Sequence, residues 1–321
     1  MNPVPKEYRQ IEWDAQVEDD CRQLIRLAVR EDLDRLYDWT TVSLVPEGAA
    51  GQANVVARTT GVIAGLPAAK LTLQEYDARL EWSPQVADGD VVERGQVVAR
   101  VSGPARSLLT AERPLLNMLG RLSGVATLTR RYVDAISGTG ISGTGAAGAG
   151  ARIFDTRKTT PGWRRLEKLA VRAGGGWNHR VGLFDGVLIK DNHLALGAAG
   201  NEGACFTPAE AIARVRRFIK GMSADRSAGG LMIEVEVDSL TQLDEVLPLS
   251  PDVVLLDNMT ADLLRQAVAR RNAANPAVQL EASGGITLAN VREIAGSGVD
   301  RISVGALTHS APWFDVALDW E

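Results

Sequence analysis

Residues 231–257 read LMIEVEVDSLTQLDEVLPLSPDVVLLD, and the fold turns on this stretch. An apolar run, LMIEVEV, gives way to Ser239-Leu-Thr-Gln242, a helix start with Ser at the N-cap and Gln three residues on. A helical pattern follows, and then a second apolar run, DVVLLD. The unit is strand, helix, strand. It recurs in both directions: RIFD at 152–155, DGVLIK at 185–190, VQLEAS at 278–283 and DRISVG at 300–305 are short apolar runs separated by helical patterns. TPAE at 207–210 is a capping box with Pro at the first helical position. Repetition of this kind predicts a parallel sheet, either a barrel or an open sheet. Six strands are legible, two short of a regular eightfold barrel.

Before residue 137 the pattern differs. VEDDCRQLIRLAVREDL from Val17 places Cys21, Leu24, Ile25, Ala28 and Val29 on one helical face. QANVVARTTGVIAG and DGDVVERGQVVARVSG read as strands joined by Gly-bearing turns. The second resembles the hairpin of a lipoyl-type carrier, but no lysine sits at its centre, so it reads as scaffold. TAERPLLNMLGRLSGVATLTRRYVDAI reads as a long helix that breaks near Ser123–Gly124 and begins near Thr110, because Pro114 fits only a first turn. The Gly-rich tract Ser137–Gly150 reads as a flexible insertion; no GK[ST] follows it, which argues against a phosphate-cradling loop.

The composition is that of a globular enzyme. It is 45% hydrophobic and 23% charged over 321 residues, with net charge −5. That charge excludes a generally basic nucleic-acid binder. Residues 151–193 run against it, with nine Lys or Arg and four Asp or Glu, while the remainder carries 26 against 36. A local cation excess in an acidic chain predicts a focused site for a small anion. Cys21 and Cys205 are too few for a disulfide framework or a cysteine zinc site and predict free thiols in a reducing compartment. MNPVPKEYRQIEWDAQ lacks the apolar core of a signal peptide. No run approaches the ~20 apolar residues of a membrane span, so a cytoplasmic protein is expected.

The polar groups that leave the apolar runs carry the chemistry. They are Asp155, Arg157 and Lys158, then Lys190, Glu236, Asp257, Ser283 and Gly305. In α/β barrels the carboxyl ends of the strands form one rim, where sites are built. Arg157, Lys158, His179, Arg180 and Lys190 supply planar forks and point charges for carboxylates or phosphates. Arg164, Arg165, Lys168 and Arg172 read instead as the coat of a solvated helix. Glu234 and Glu236 alternate and so share a strand face. With Asp257, a carboxylate pair at the rim can hold Mg²⁺, accept ribose hydroxyls, steady a developing cation, or simply pair with the rim's Lys and Arg. EASGGI and SVGAL, strand-to-helix turns, offer amides to phosphate. Together these fit a pyrophosphorylated sugar over the phosphate cup and a carboxylated nucleophile in the cationic pocket.

DTRKTTPGWRRLEKLAVRAGGGWNHRVGLFDGVLIKDNHL, IEVEVDSL, LLDNM, LEASGGI and VGALTHSA, with DWTT, GVIAG and LTAERPLLNMLGRLSGVAT before them, resemble the quinolinate phosphoribosyltransferases. The likeness runs from about Glu31 onward, and relative to shorter members the Gly-rich tract and GAAGNEGACF look like insertions. It implies an α/β fold of two domains: an N-terminal α/β sandwich at 1–130, rejoined by the tail 306–321, and an open α/β barrel of six or seven parallel strands at 131–305. It implies a homodimer with shared active sites, in which Arg113 reaches the neighbouring site. Arg157, His179, Arg180 and Lys190 would hold the two carboxylates of quinolinate, with Lys158 between the substrates. Glu236 and Asp257 would take ribose hydroxyls and Mg²⁺, and Ser283, Gly284, Gly305 and His309 would frame the phosphate. The catalytic set would be Lys158, Lys190, Glu236 and Asp257. The rivals are a monocarboxylate phosphoribosyltransferase and a barrel lyase with a Lys190 Schiff base. RNA binding lacks aromatic platforms, and no membrane partner is expected.

Overall fold

A computed structural model describes residues 6–137, 150–197, 205–222 and 230–321. The Gly-rich tract is outside the described residues except at Ser137 and Gly150, and so is most of GAAGNEGACF. The chain divides into two compact units. One comprises Gln10–Arg131, Lys158–Trp177 and Ala306–Glu321, and the other Met1–Arg9, Tyr132–Arg157 and Asn178–Gly305.

The first unit opens with α1 (Ala15–Leu33), capped by the Asp14 carboxylate, and α2 (Trp39–Leu44), capped by Asp38. β1 (Ala50–Ala57), β2 (Gly61–Val62), α3 (Leu66–Tyr76), β3 (Glu81–Pro84), β4 (Val91–Val92) and β5 (Val97–Pro104) follow, and α4 begins at Ala105 and runs to Ile136. α5 (Arg164–Ala173), α11 (Ala306–His309) and β12 (Val316–Trp320) complete it. Its sheet has the order β12-β1-β5-β3 with antiparallel neighbours, and β2 pairs with β4. Ala53, Val55 and Ala57 alternate along β1 into a core shared with Val101 of β5, Leu73 of α3 and Leu108, Leu115 and Leu119 of α4.

Three expectations for this unit fail. α4 starts at Ala105, so Pro114 lies inside it, and no break occurs at Ser123–Gly124. Both features follow from what the helix packs on. The Ser123 hydroxyl accepts the Ala64 N–H at 3.0 Å, and a Cβ on Gly124 would stand 2.2 Å from the Pro312 carbonyl oxygen. Small residues there admit neighbouring backbone rather than end the helix. Lys168 does not coat a solvated face, being fully buried on α5 beside buried Glu167, whose carboxylate takes Arg121 at 2.6 Å. α3 and β3 were not legible as separate elements.

The second unit is the parallel sheet. Its elements are β6 (Arg152–Phe154), β7 (Val187–Ile189), α6 (Asp191–Gly197), α7 (Pro208–Gly221), β8 (Ile233–Val237), α8 (Leu240–Val246), β9 (Val253–Asp257), α9 (Ala261–Ala274), β10 (Gln279–Ser283), α10 (Val291–Ala295) and β11 (Arg301–Ser303). The order β6-β11-β10-β9-β8-β7 is parallel throughout, giving the six-stranded, barrel-like sheet expected. The Thr207–Glu210 box caps α7 in both directions. Strand residues are buried almost without exception, as in sheets covered on both faces. One set of strand residues that meet is polar. Arg301 lies over the Phe154 ring at 4.7 Å and shares Gln279 with Arg152. The segment Lys6–Arg9 joins this set, with the Glu7 carboxylate bridging Arg152 at 2.5 Å and Arg301 at 2.7 Å.

Candidate active site

Because all six strands run the same way, their carboxyl ends lie along one edge, and the predicted residues leave that edge one after another. Arg157 follows β6, Lys190 follows β7, Glu236 is near the end of β8, Asp257 and Ser283 end β9 and β10, and Gly305 follows β11. Asp257 and Ser283 are register partners. Lys190 Nζ donates to the Glu236 carboxylate from the adjoining strand, which answers the cost of an ammonium at the end of an apolar run. Lys190 is 42% exposed at the side chain, so the pair remains open to a ligand.

The cationic pocket is organised by a carboxylate that sequence reading left without a role. Asp155 is buried at the end of β6 and accepts the Asn178 side-chain amide at 2.8 Å and the His179 backbone N–H at 2.9 Å. This ties the GGGWNHR loop to the strand. His179 Nδ1 accepts the Arg180 backbone N–H at 2.8 Å. An acceptor Nδ1 puts the ring proton on Nε2. That nitrogen lies 3.0 Å from Glu234 Oε2. Arg180 donates from Nη1 to the Gly186 carbonyl at 3.1 Å. Its Nε is buried with no hydrogen-bond partner among the described residues, and the side chain is 7% exposed. Burial holds the Arg180 pKa below the usual range, and the nearby Arg157 charge lowers it further. Two like-charged guanidinium groups thus lie within electrostatic reach of each other, one of them desolvated.

Beneath this lies a network missed in the sequence. Glu234 and Glu281 are 0% exposed. Glu234 Oε2 accepts from Tyr8 at 2.6 Å as well as from His179, and Glu281 Oε1 accepts from Ser303. Burial raises the Glu281 pKa to about 7, with the Glu234 charge adding to the shift. The Glu234 pKa is held below the usual range against its own burial, by His179 first and then by the Tyr8 hydroxyl and Arg301. The alternation of Glu234 with Glu236 was the one available signal; nothing local marked Tyr8 or Glu281.

The turns expected to receive phosphate are built for close approach of backbone. Gly284 has φ +93 and Gly285 φ +61, and a Cβ on Gly284 would stand 2.1 Å from Asn258 Oδ1. Asn258, itself at φ +53, donates its backbone N–H to the Ser283 carbonyl and its side-chain amide to Asp257 Oδ2 at 2.8 Å. Three predicted residues belong to the other unit. Lys158 is exposed and its carbonyl accepts the Thr308 hydroxyl at 2.8 Å. His309 is exposed, with Nδ1 2.6 Å from Ser310 Oγ, and Arg113 is exposed on α4.

With that arrangement in hand, comparison with known proteins is decisive. Residues 38–123 match the family model described as quinolinate phosphoribosyl transferase, N-terminal domain, and residues 125–319 match its C-terminal domain. The chain belongs to the quinolinate phosphoribosyltransferase family. Within that family it is 44% identical over 305 residues to the nicotinate-nucleotide pyrophosphorylase [carboxylating] of Mycobacterium leprae, spanning 94% of this chain and 97% of that one. The probable nicotinate-nucleotide pyrophosphorylase [carboxylating] of Bacillus subtilis is 40% identical over 283 residues, 88% of this chain and 87% of its own. Among solved structures, the nicotinate-nucleotide pyrophosphorylase of Francisella tularensis superposes with TM-score 0.83 at 31% identity, covering 98% of this chain and all of that one.

Proposed function

We propose that the protein transfers the phosphoribosyl group of phosphoribosyl pyrophosphate to quinolinate with loss of CO₂, giving nicotinate mononucleotide and pyrophosphate. The observation that carries this is the buried Arg180 guanidinium beside Arg157, with His179 and Lys190 on the same strand-end edge. Several fixed cations suit a dicarboxylate better than a monocarboxylate.

In the reaction the pyridine nitrogen forms a bond to C1′ as the C1′–O bond to pyrophosphate breaks. Arg157, Arg180 and Lys190 hold the two carboxylates so that the nitrogen faces C1′. Glu236 and Asp257 face the cationic charge that develops there. When the C2–carboxylate bond breaks and CO₂ leaves, the electron pair stays on C2 as a carbanion stabilised by the adjacent ring cation, and C2 then takes up a proton. Lys158, next in the chain to Arg157, would meet negative charge between the substrates. Ser283, Gly284, Gly305 and His309 would frame the ribose phosphate. Glu236 and Asp257, carboxylates at the ends of adjacent strands and both only partly buried, fit the one or two carboxylates Mg²⁺ takes while keeping water and phosphate oxygens. When bound, Mg²⁺ would neutralise charge on the departing pyrophosphate. The His179–Glu234–Glu281 cluster suits it less, because all three residues are buried and one ligand is an imidazole, whereas Mg²⁺ takes oxygen ligands and keeps several waters.

A homodimer with shared sites is part of this reading. Arg113 stands exposed on α4, and Leu36, Tyr37, Trp39 and Leu44 expose an apolar set in the same unit. A cytoplasmic setting accords with the two unpaired cysteines. No described helix is long and apolar enough to cross a membrane. The Lys190 Schiff-base alternative is disfavoured by the Glu236 carboxylate, which already engages the Nζ that would have to attack a carbonyl.

The deciding assay follows CO₂ from carboxyl-labelled quinolinate. Release should require both phosphoribosyl pyrophosphate and Mg²⁺. Release without the sugar phosphate, or turnover of nicotinate in preference to quinolinate, would overturn the assignment.

A further inference from the structure

We infer that Tyr8, in the segment Lys6–Arg9, is a positioning residue of the active site: through Glu234 it fixes the His179 imidazole and with it the Arg180 guanidinium. The inference rests on the proposed role of His179 and Arg180 in holding quinolinate.

Four contacts carry it. The Tyr8 hydroxyl donates to Glu234 Oε2 at 2.6 Å, the same oxygen that takes His179 Nε2 at 3.0 Å. The Tyr8 and His179 rings lie 4.6 Å apart, centroid to centroid, tilted by 32°. Aromatic rings at such a separation hold one another in place. The Arg301 guanidinium sits 5.8 Å from the Tyr8 ring, and the neighbouring Glu7 carboxylate anchors the segment to Arg301 and Arg152. A cation at that distance from a ring face adds a modest attraction. Room for the ring is made by Gly186, where a Cβ would stand 2.8 Å from Tyr8 Cε1. Gly186 is also the residue whose carbonyl holds Arg180 Nη1.

Tyr8 therefore braces both supports of Arg180. On one side it fixes the acceptor that fixes the imidazole whose Nδ1 takes the Arg180 N–H. On the other it packs against the residue that anchors the guanidinium. With Glu234 Oε2 shared between Tyr8 and Nε2, and Nδ1 filled by a backbone donor, the imidazole has one tautomer and one ring orientation open to it. Tyr8 is only 3% exposed and so closed to substrate. Its effect is on geometry.

The test uses the full-length chain with Tyr8→Phe, which keeps the ring and removes the hydroxyl. The quinolinate KM should rise about tenfold, the scale of one hydrogen bond to a charged acceptor, while the phosphoribosyl pyrophosphate KM and Tm stay near the parent's. In parallel, ¹⁵N resonances of His179, assigned by comparison with His193→Gln and His309→Gln, should show a single Nε2–H tautomer in the parent and a tautomer mixture in Tyr8→Phe. A quinolinate KM within about twofold of the parent, or equal losses in both KM values and Tm, would overturn the inference. So would mixed tautomers in the parent, a reading that stands even if the variant does not fold. Were quinolinate not a substrate at all, the proposed function would fail, and the tautomer comparison would still decide whether Tyr8 fixes His179.

Discussion

Gly284 and Asn258 interlock at the ends of β10 and β9, with the glycine Cα so near the asparagine side chain that an added Cβ would stand 2.1 Å from Oδ1. Gly284→Ala must move Asn258 and also hold alanine at φ +93. Backbone strain of that kind costs about 1–3 kcal/mol. Because Asn258 donates to Asp257, the damage should fall on the sugar-phosphate side. We expect a large rise in the phosphoribosyl pyrophosphate KM and a small change for quinolinate, read from initial rates.

Arg180→Ala removes a buried guanidinium that, in the proposed function, faces the dianion. A loss of about 2–5 kcal/mol in transition-state binding, the scale of truncating a buried charge partner, should lower kcat/KM for quinolinate by about two orders of magnitude or more. Arg180→Lys should not restore it, because a point charge cannot supply the planar fork while also holding Gly186. Steady-state kinetics on both variants checks this.

Lys190 separates stability from function. The Lys190 side chain is 42% exposed in its pairing with the more buried Glu236. With the lysine end open to water, Lys190→Ala should cost only about 1 kcal/mol of stability. CO₂ release should nevertheless collapse. Thermal unfolding beside the activity assay distinguishes the two effects, and a large fall in Tm would count against a binding role.

Glu281 makes stability depend on pH. Its carboxyl holds a proton up to about pH 7 in the folded protein. An unfolded glutamic acid loses it at about pH 4. Between those values the folded state binds the extra proton, so this group's contribution to stability declines as pH rises and is lowest above about 7. Glu281→Gln, which imitates the protonated carboxyl, should therefore match the parent's Tm at about pH 5 and exceed it at about pH 8. A Tm difference that does not change with pH would refute the assignment.

The proposed homodimer with shared active sites makes a prediction by mixing. Arg113→Ala and Lys190→Ala should each be inactive alone. Unfolded and refolded together, they should recover about a quarter of parental activity, since half the dimers are mixed and each mixed dimer keeps one intact site. No recovery would mean that each subunit works by itself.

Much of this was legible in the sequence. The six parallel strands and the polar residues at their ends follow from alternation and apolar runs, because burial on both faces leaves a strand few ways to be written. What escaped notice has a common cause. Lys168 has the sequence neighbours of a surface lysine, yet it is buried. Pro114 belongs at a helix start by local rules, yet the packing around Leu108, Leu115 and Leu119 carries α4 straight through it. Tyr8 reaches Glu234 over a separation of 226 residues, a distance at which no periodicity survives. Local chemistry sets the elements; long-range burial of charge sets the site's supports.

The antiparallel pairing of β12 (Val316–Trp320) with β1 (Ala50–Ala57) also bears on how the chain is made. A ribosome emits β1 roughly 260 residues before its partner, which at about 5–20 residues per second is between a quarter of a minute and most of one. Throughout that interval one flank of β1 has ladder groups with no mate, the situation that invites intermolecular strand pairing. Nascent-chain chaperones should be needed in proportion to that delay. Prematurely terminated translation products ought to aggregate, even when every residue of the catalytic rim has already been synthesised.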